Sequence, residues 1–295
     1  MSAGTRLPGT PEPRHVWLGD GGLRIAGDTW GDPLSPPVVL LHGGGQTRHS
    51  WGNIGSLLGA AGYYALSFDA RGHGDSDWSP DGSYDVDTMI RDLLCVISSA
   101  GMSRPVLVGA SMGGGTSLVA AGEHLVQAAA LILVDVAPRI EREGVEKVRS
   151  FMDQKSEGFD SLEEVVDAIG NYQPHRLRGS HLESAVRNIR LASDGKYRWH
   201  WDPVFRSSAH DLAQREVRLK ACARRLELPT LLVRGGLSDV LSEAGAQDFL
   251  ALCRHAEYVN VASAGHMVAG DRNDAFGAAV ITFVERTVPK YGARG

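Results

Sequence analysis

Short apolar runs punctuate the chain, each bounded by Gly, Pro or Asp: Pro37–Leu41 (PVVLL), Tyr63–Phe68 (YYALSF), Pro105–Val108 (PVLV), Ala130–Val134 (ALILV), Thr230–Val233 (TLLV) and Ala256–Val261 (AEYVNV). Runs this short, apolar on successive residues, read as strands buried on both faces of a mostly parallel sheet. Between them lie stretches with helical spacing. Over Asp85–Ala100, Met89, Ile90, Leu93, Leu94 and Ile97 recur at three- and four-residue steps, which gathers them on one face of a helix. Two weaker runs, His15–Leu18 and Leu23–Thr29, extend the sheet at one edge. Strand–helix alternation of this kind predicts an α/β fold with helices on both sides of the sheet.

The alternation breaks once. From about Ala137 to Leu228 there is no strong strand run, only helical patterns, with capping boxes at Ser161/Glu164 and Ser180/Glu183 marking helix starts. The expected organisation is therefore a core of residues 14–136 and 229–295, interrupted by a helical cap at 137–228. Residues 1–13, polar and rich in Gly, Pro and Thr, are expected to form a flexible N-terminus.

Composition narrows the partners. The chain has 295 residues and a formal net charge of -5, with no block of basic residues, which argues against nucleic acid and anionic membrane surfaces. Cys95, Cys222 and Cys253 are far apart and lack metal-ligand spacing, so they read as reduced thiols. Neither a signal-peptide pattern nor a run near the roughly 20 apolar residues of a membrane span is present. The expected location is the cytoplasm. With no GxGxxG after the first strand and no HExxH spacing, neither a cofactor nor a metal is expected.

The chemistry is concentrated just after the strand runs. Pro105–Val108 runs into Gly109-Ala110-Ser111-Met112-Gly113-Gly114 and then a helical pattern over Thr116–His124. This is G-x-S-x-G in a strand–turn–helix setting, where a tight turn lifts a serine hydroxyl above the sheet at a helix N-terminus. His42-Gly43-Gly44-Gly45-Gln46 follows the strand Pro37–Leu41 and offers backbone N–H groups for an oxyanion. Gly44 and Met112 are the expected donors, with Gly45 as the substitute for Gly44. His266 follows the last strand and is the expected base. The order Ser111, Asp239, His266 makes Asp239 the expected acid, and Asp135, also at a strand end, is the alternative. Gly45, Trp51, Trp199 and Trp201 are candidates to line a substrate pocket, although the tryptophans could equally pack in the interior.

Taken together, these motifs resemble the α/β-hydrolase superfamily over nearly the whole chain. Asp69-Ala70-Arg71-Gly72-His73-Gly74-Asp75-Ser76 is similar to that family's D-x-R-G-H-G-x-S loop, which is mainly structural. The resemblance implies an eight-stranded, mostly parallel sheet with an inserted helical cap. It is nearest to the epoxide hydrolase-like and cofactor-free perhydrolase-like group. Epoxide hydrolases, however, use an aspartate nucleophile where this chain has Ser111. Serine suits acyl transfer, which makes a small-molecule ester or lactone the expected substrate. A perhydrolase or C–C bond hydrolase would use the same three residues, and a ligand-binding receptor or scaffold is the reading from outside enzymology.

Overall fold

The computed structural model describes residues 3–172, 178–207, 212–268 and 273–290. In chain order the strands are β1 (Thr5–Arg6), β2 (His15–Leu18), β3 (Arg24–Trp30), β4 (Pro37–Leu41), β5 (Tyr64–Phe68), β6 (Val106–Ala110) and β7 (Ala130–Val134). They continue as β8 (Ile189–Leu191), β9 (Tyr197–Trp199), β10 (Thr230–Gly235) and β11 (Glu257–Val261). Eight of them form one sheet in the order β11-β10-β7-β6-β4-β5-β3-β2. All pairings from β11 across to β5 are parallel, and β3 and β2 add an antiparallel edge. This is the mostly parallel sheet covered by helices that the alternation of apolar runs and amphipathic stretches predicts, with the eight strands that the resemblance implies.

The helices that flank the sheet are α1 (Gly52–Ala60), α2 (Val86–Ser99) and α3 (Ser111–Gly122). After β7 come α4 (Arg142–Met152), α5 (Leu162–Tyr172), α6 (Arg178–Asn188), α7 (Pro203–Ser207) and α8 (Leu212–Arg225), and later α9 (Glu243–Leu252) and α10 (Asn273–Thr287). Alternate strand residues separate into two cores, as the period of two requires. Val39, Leu41, Leu107, Leu131 and Leu133 pack on α2, α3 and α8, whereas Val38, Leu40, Val106, Val108 and Ile132 pack on α1 and α10. Asp85 caps α2 by accepting the Thr88 N–H at 2.9 Å, which sets where that helix starts.

Three expectations need correction. Residues 137–228 are not wholly helical. β8 and β9 form a hairpin there, and β1 joins it to make a three-stranded sheet. Ile-Arg-Leu and Tyr-Arg-Trp are too short for their alternation to stand out, although Asp194-Gly195 between them is a hairpin signal. The N-terminus, in turn, is not a loose tail over its described residues. Thr5 and Arg6 pair with β8, Leu7 enters the core beneath it, and the Pro11 carbonyl accepts a hydrogen bond from Arg48 at 3.0 Å. Met1 and Ser2 lie outside the described residues. Finally, α6 begins at Arg178, so Ser180 and Glu183 lie within it rather than at its start, while Ser161 does accept the Glu164 N–H at 3.3 Å.

Candidate active site

Strand order fixes where a site can form. From β4 the chain crosses to β5 on one flank, and β6 takes its place on the other. The carboxyl ends of β4 and β6 therefore border the crevice where the sheet's winding reverses, the usual ligand position in open α/β sheets. The turn His42–Gln46 leaves β4 here, and the turn containing Ser111 leaves β6.

The Ser111 turn is tight. Ser111 adopts φ 47, a left-handed conformation rare for a side-chain-bearing residue. A Cβ on Gly109 would come within 2.4 Å of the Gly113 carbonyl oxygen, and one on Gly113 within 2.4 Å of the Leu41 oxygen. Only glycine fits either place. The helix α3 begins at Ser111 itself, earlier than the pattern at Thr116 predicts, because the turn is its first residue. Ser111 and Met112 are partly exposed while the rest of α3 is buried. The two turns touch: the Gly113 N–H donates to the His42 carbonyl at 3.1 Å, and the Ser111 Cβ is 3.3 Å from where a Cβ on Gly43 would lie.

The backbone amides of the first turn sort themselves. Gly43 N–H donates to Gln46 Oε1 at 3.1 Å and Gly45 N–H to His73 Nε2 at 3.2 Å. The Gly44 N–H has no partner among the described residues, and neither does that of Met112. Those two amides are free to receive an oxyanion, and Gly45 is not. Three buried histidines hold this arrangement. His42 Nδ1 donates to the Gly43 carbonyl and Nε2 accepts the Ala70 N–H, both within 2.9 Å. His73 Nδ1 donates to the Arg71 carbonyl at 3.1 Å. His200 accepts the Gly74 N–H at 2.7 Å and donates to the Gly45 carbonyl. Burial pushes all three below the usual histidine range, His73 to about 3, so each ring is neutral and keeps the lone pair its bonds require. His73 was visible in the sequence as part of a structural loop. Its meeting with His200, distant in the chain, was not.

The carboxylate that meets His266 is where the structure departs most from the chain-order expectation. Asp135 follows β7 directly, in a left-handed conformation (φ 50), and its side chain is wholly buried. Its Oδ2 lies 2.6 Å from His266 Nδ1 and accepts the Ser238 hydroxyl at 2.5 Å, while Oδ1 accepts the Gly235 N–H at 2.9 Å. Asp239 faces away: its half-exposed carboxylate pairs with Lys147 at 2.7 Å. Asp239 is thus no partner of His266. Since β7 neighbours β6, with Val134 opposite Ala110, Asp135 and Ser111 leave adjacent strands. The His266 loop also reaches the first turn, through Gln46 Nε2 donating to the Met267 sulfur at 2.7 Å.

The pocket candidates divide. Trp51 is wholly buried against Phe276 beneath the sheet and lines no cleft. Trp199 packs in the core under β8 and β9, stacked on Trp201 at 4.9 Å. Trp201 and Met152 approach to 3.4 Å from where a Cβ on Gly45 would stand, and Phe205 to 3.5 Å from the equivalent point on Gly44. These three apolar side chains roof the turn. Among the described residues, no three His, Cys, Asp or Glu side chains converge as metal ligands, and no helix is long and apolar enough to cross a membrane.

Known proteins resemble the chain over most of its length. The family model described as the alpha/beta hydrolase fold matches residues 36–272. A 3-hydroxybutyrate-oligomer hydrolase of Cupriavidus necator is 28% identical over 257 residues, covering 82% of this chain and 87% of the relative. An esterase of Mycobacterium tuberculosis is 29% identical over 269 residues, covering 89% and 85%. The crystal structure of an alpha/beta hydrolase from Novosphingobium aromaticivorans superimposes with a TM-score of 0.79 at 27% identity, covering 94% of this chain and all of that one.

Proposed function

Since the chain belongs to the α/β-hydrolase family, we propose that it is a serine hydrolase of carboxylic esters or lactones, with Ser111 as nucleophile, His266 as base and Asp135 as acid. Relatives named as an esterase and a 3-hydroxybutyrate-oligomer hydrolase support the bond type. The observation that carries the residue assignment is the buried contact of Asp135 with His266 Nδ1, on the strand next to the one that presents Ser111.

The chemistry follows from the geometry. Asp135 holds the His266 proton on Nδ1, which leaves Nε2 as the acceptor, and it stabilises the imidazolium once formed. His266 takes the proton of Ser111 as the serine oxygen attacks the carbonyl carbon. The Gly44 and Met112 amides receive the negative charge, already oriented and unpaired, and the N-terminus of α3 adds its positive end. The C–O bond breaks as His266 returns the proton to the leaving alcohol. Water then repeats the cycle on the acyl-enzyme. Residues 137–228 act as the lid, with Met152, Trp201 and Phe205 as an apolar wall that excludes water from the oxyanion.

The test is hydrolysis of a panel of p-nitrophenyl esters and lactones by the wild type and Ser111→Ala. The variant should lose kcat by about 10⁴-fold or more, since the nucleophile and base act as one unit. A serine-directed phosphonate should add its mass to the peptide containing Ser111. Near-native turnover by Ser111→Ala would overturn the assignment.

A further inference from the structure

The helix α8 runs beside α3 in the same direction, with Gly115 opposite Arg215 and Gly122 opposite Cys222. The Arg215 Nη2 lies 3.1 Å from where a Cβ on Gly115 would stand, so the guanidinium rests over the backbone of α3. Gly115 follows Ser111 by four residues, about 6 Å along the axis. Any larger residue at 115 would press on the guanidinium. One turn further along α8, Arg218 shows what an arginine on this helix ordinarily does. It is clamped by Glu123 at 2.8 Å and Asp87 at 2.6 Å.

Arg215 has neither kind of partner. Among the described residues it makes no hydrogen bond and no ion pair, and no carboxylate faces it. The side chain is half-buried, and loss of solvent draws its pKa below the ordinary arginine value. A desolvated cation without a counter-charge is costly, and that cost is relieved when an anion arrives.

We propose that Arg215 is the anion subsite of the ester-hydrolysing centre, so that the preferred substrate is an ester or lactone carrying a free carboxylate a few bonds from the scissile carbonyl. The proposal rests on Ser111 being the nucleophile. The guanidinium presents paired N–H donors that match the two oxygens of a carboxylate, and a lone arginine balances one negative charge rather than the two of a phosphate. A Cβ at Gly115 would press on the guanidinium, which would have to give by a few tenths of an ångström. Over Gly44 and Gly45, Met152, Trp201 and Phe205 supply apolar surface for the rest of such a substrate.

Four substrates test this. Two are anionic, p-nitrophenyl hydrogen glutarate with its carboxylate on the acyl side and the butyryl ester of 3-hydroxypropanoate with it on the alcohol side. Two are their neutral counterparts, p-nitrophenyl valerate and propyl butyrate. For at least one pair the wild type should favour the anionic member. In Arg215→Met, the anionic-to-neutral ratio of kcat/KM for that pair should fall by about 10- to 100-fold, with Arg215→Lys intermediate. Thermal melting verifies that each variant folds. In the Ser111→Ala background, monomethyl glutarate should raise the Tm, and Arg215→Met should abolish that rise. Should the ratio stay unchanged in both pairs, Arg215 is not the subsite. Should the wild type turn over none of the four, the nucleophile assignment fails instead, and the melting shift still reports on Arg215.

Discussion

Asp135 and Asp239 both follow parallel strands at the same end of the sheet, yet they have opposite surroundings. Asp135 comes directly after β7, turned by a left-handed residue so that its carboxylate lies under the end of β10, wholly buried and bonded to His266, Ser238 and Gly235. Asp239 comes after the turn Gly236–Ser238 has already carried the chain out of the sheet, and its carboxylate reaches solvent and Lys147. The carboxyl end of a strand is therefore not a single environment. What decides is how far the loop has travelled before the acid appears. The two are also coupled, because the residue just before Asp239 is the serine that holds Asp135 in place.

The largest effect that could break this contrast is on kcat. Asp135→Asn should lower it by about 10³- to 10⁴-fold, because the amide favours the wrong His266 tautomer. If Asp239→Asn caused that loss instead, the contrast would be inverted. Ser238→Ala should cost about tenfold in kcat, since it removes one bond to the Asp135 carboxylate while leaving those of His266 and Gly235. An unchanged kcat would mean that Asp135 is oriented without it.

The buried histidines extend the comparison to pH. His73 is neutral in the folded chain, with its pKa drawn down to about 3, whereas in the unfolded chain it binds a proton near pH 6.5. Below about pH 6.5 the unfolded state thus holds more protons, so folding stability rises with pH across this window and falls as the pH is lowered towards 3. One such ring contributes a slope of about 1.4 kcal/mol per pH unit. His73→Gln, which keeps an acceptor for the Gly45 N–H, should flatten the decline of Tm between pH 7 and pH 5. An undiminished slope would show that His73 is not a source of it. The smallest effect belongs to Asp239→Asn, which should leave kcat and Tm within error, because an exposed ion pair of this kind contributes little.

The sheet was legible because strands buried on both faces must be apolar at successive residues, and β4 and β7 match their runs end to end. The Ser111 turn was legible for a different reason: a Cβ has no room on Gly109, against the turn itself, or on Gly113, against the end of β4. The carboxylate partner of His266 was not, because nothing in Asp135 or Asp239 announces which loop has turned inward. That depends on β10 lying beside β7, a long-range pairing. The engagement of Gly45 by His73 and His200 was hidden in the same way, as was the hairpin of β8 and β9, whose strands are too short for periodicity to register. Positions that exclude a side chain left marks in the sequence, and hydrogen-bonded partnerships across the chain did not.

The pairing of β1 with β8 bears on the order in which the molecule assembles. Thr5 and Leu191 are register partners although about 185 residues separate them, a longer separation than in any other strand pairing among the described residues. During synthesis from the N-terminus, Leu7 and the backbone of Thr5 and Arg6 stay uncovered until the hairpin that receives them has emerged. Closing so long a loop is slow compared with forming β6–α3–β7 from consecutive segments. The strands β2–β7, which include the one that presents Ser111, can therefore pair before β8 has been made, and β1 is the stitch that finishes the roof.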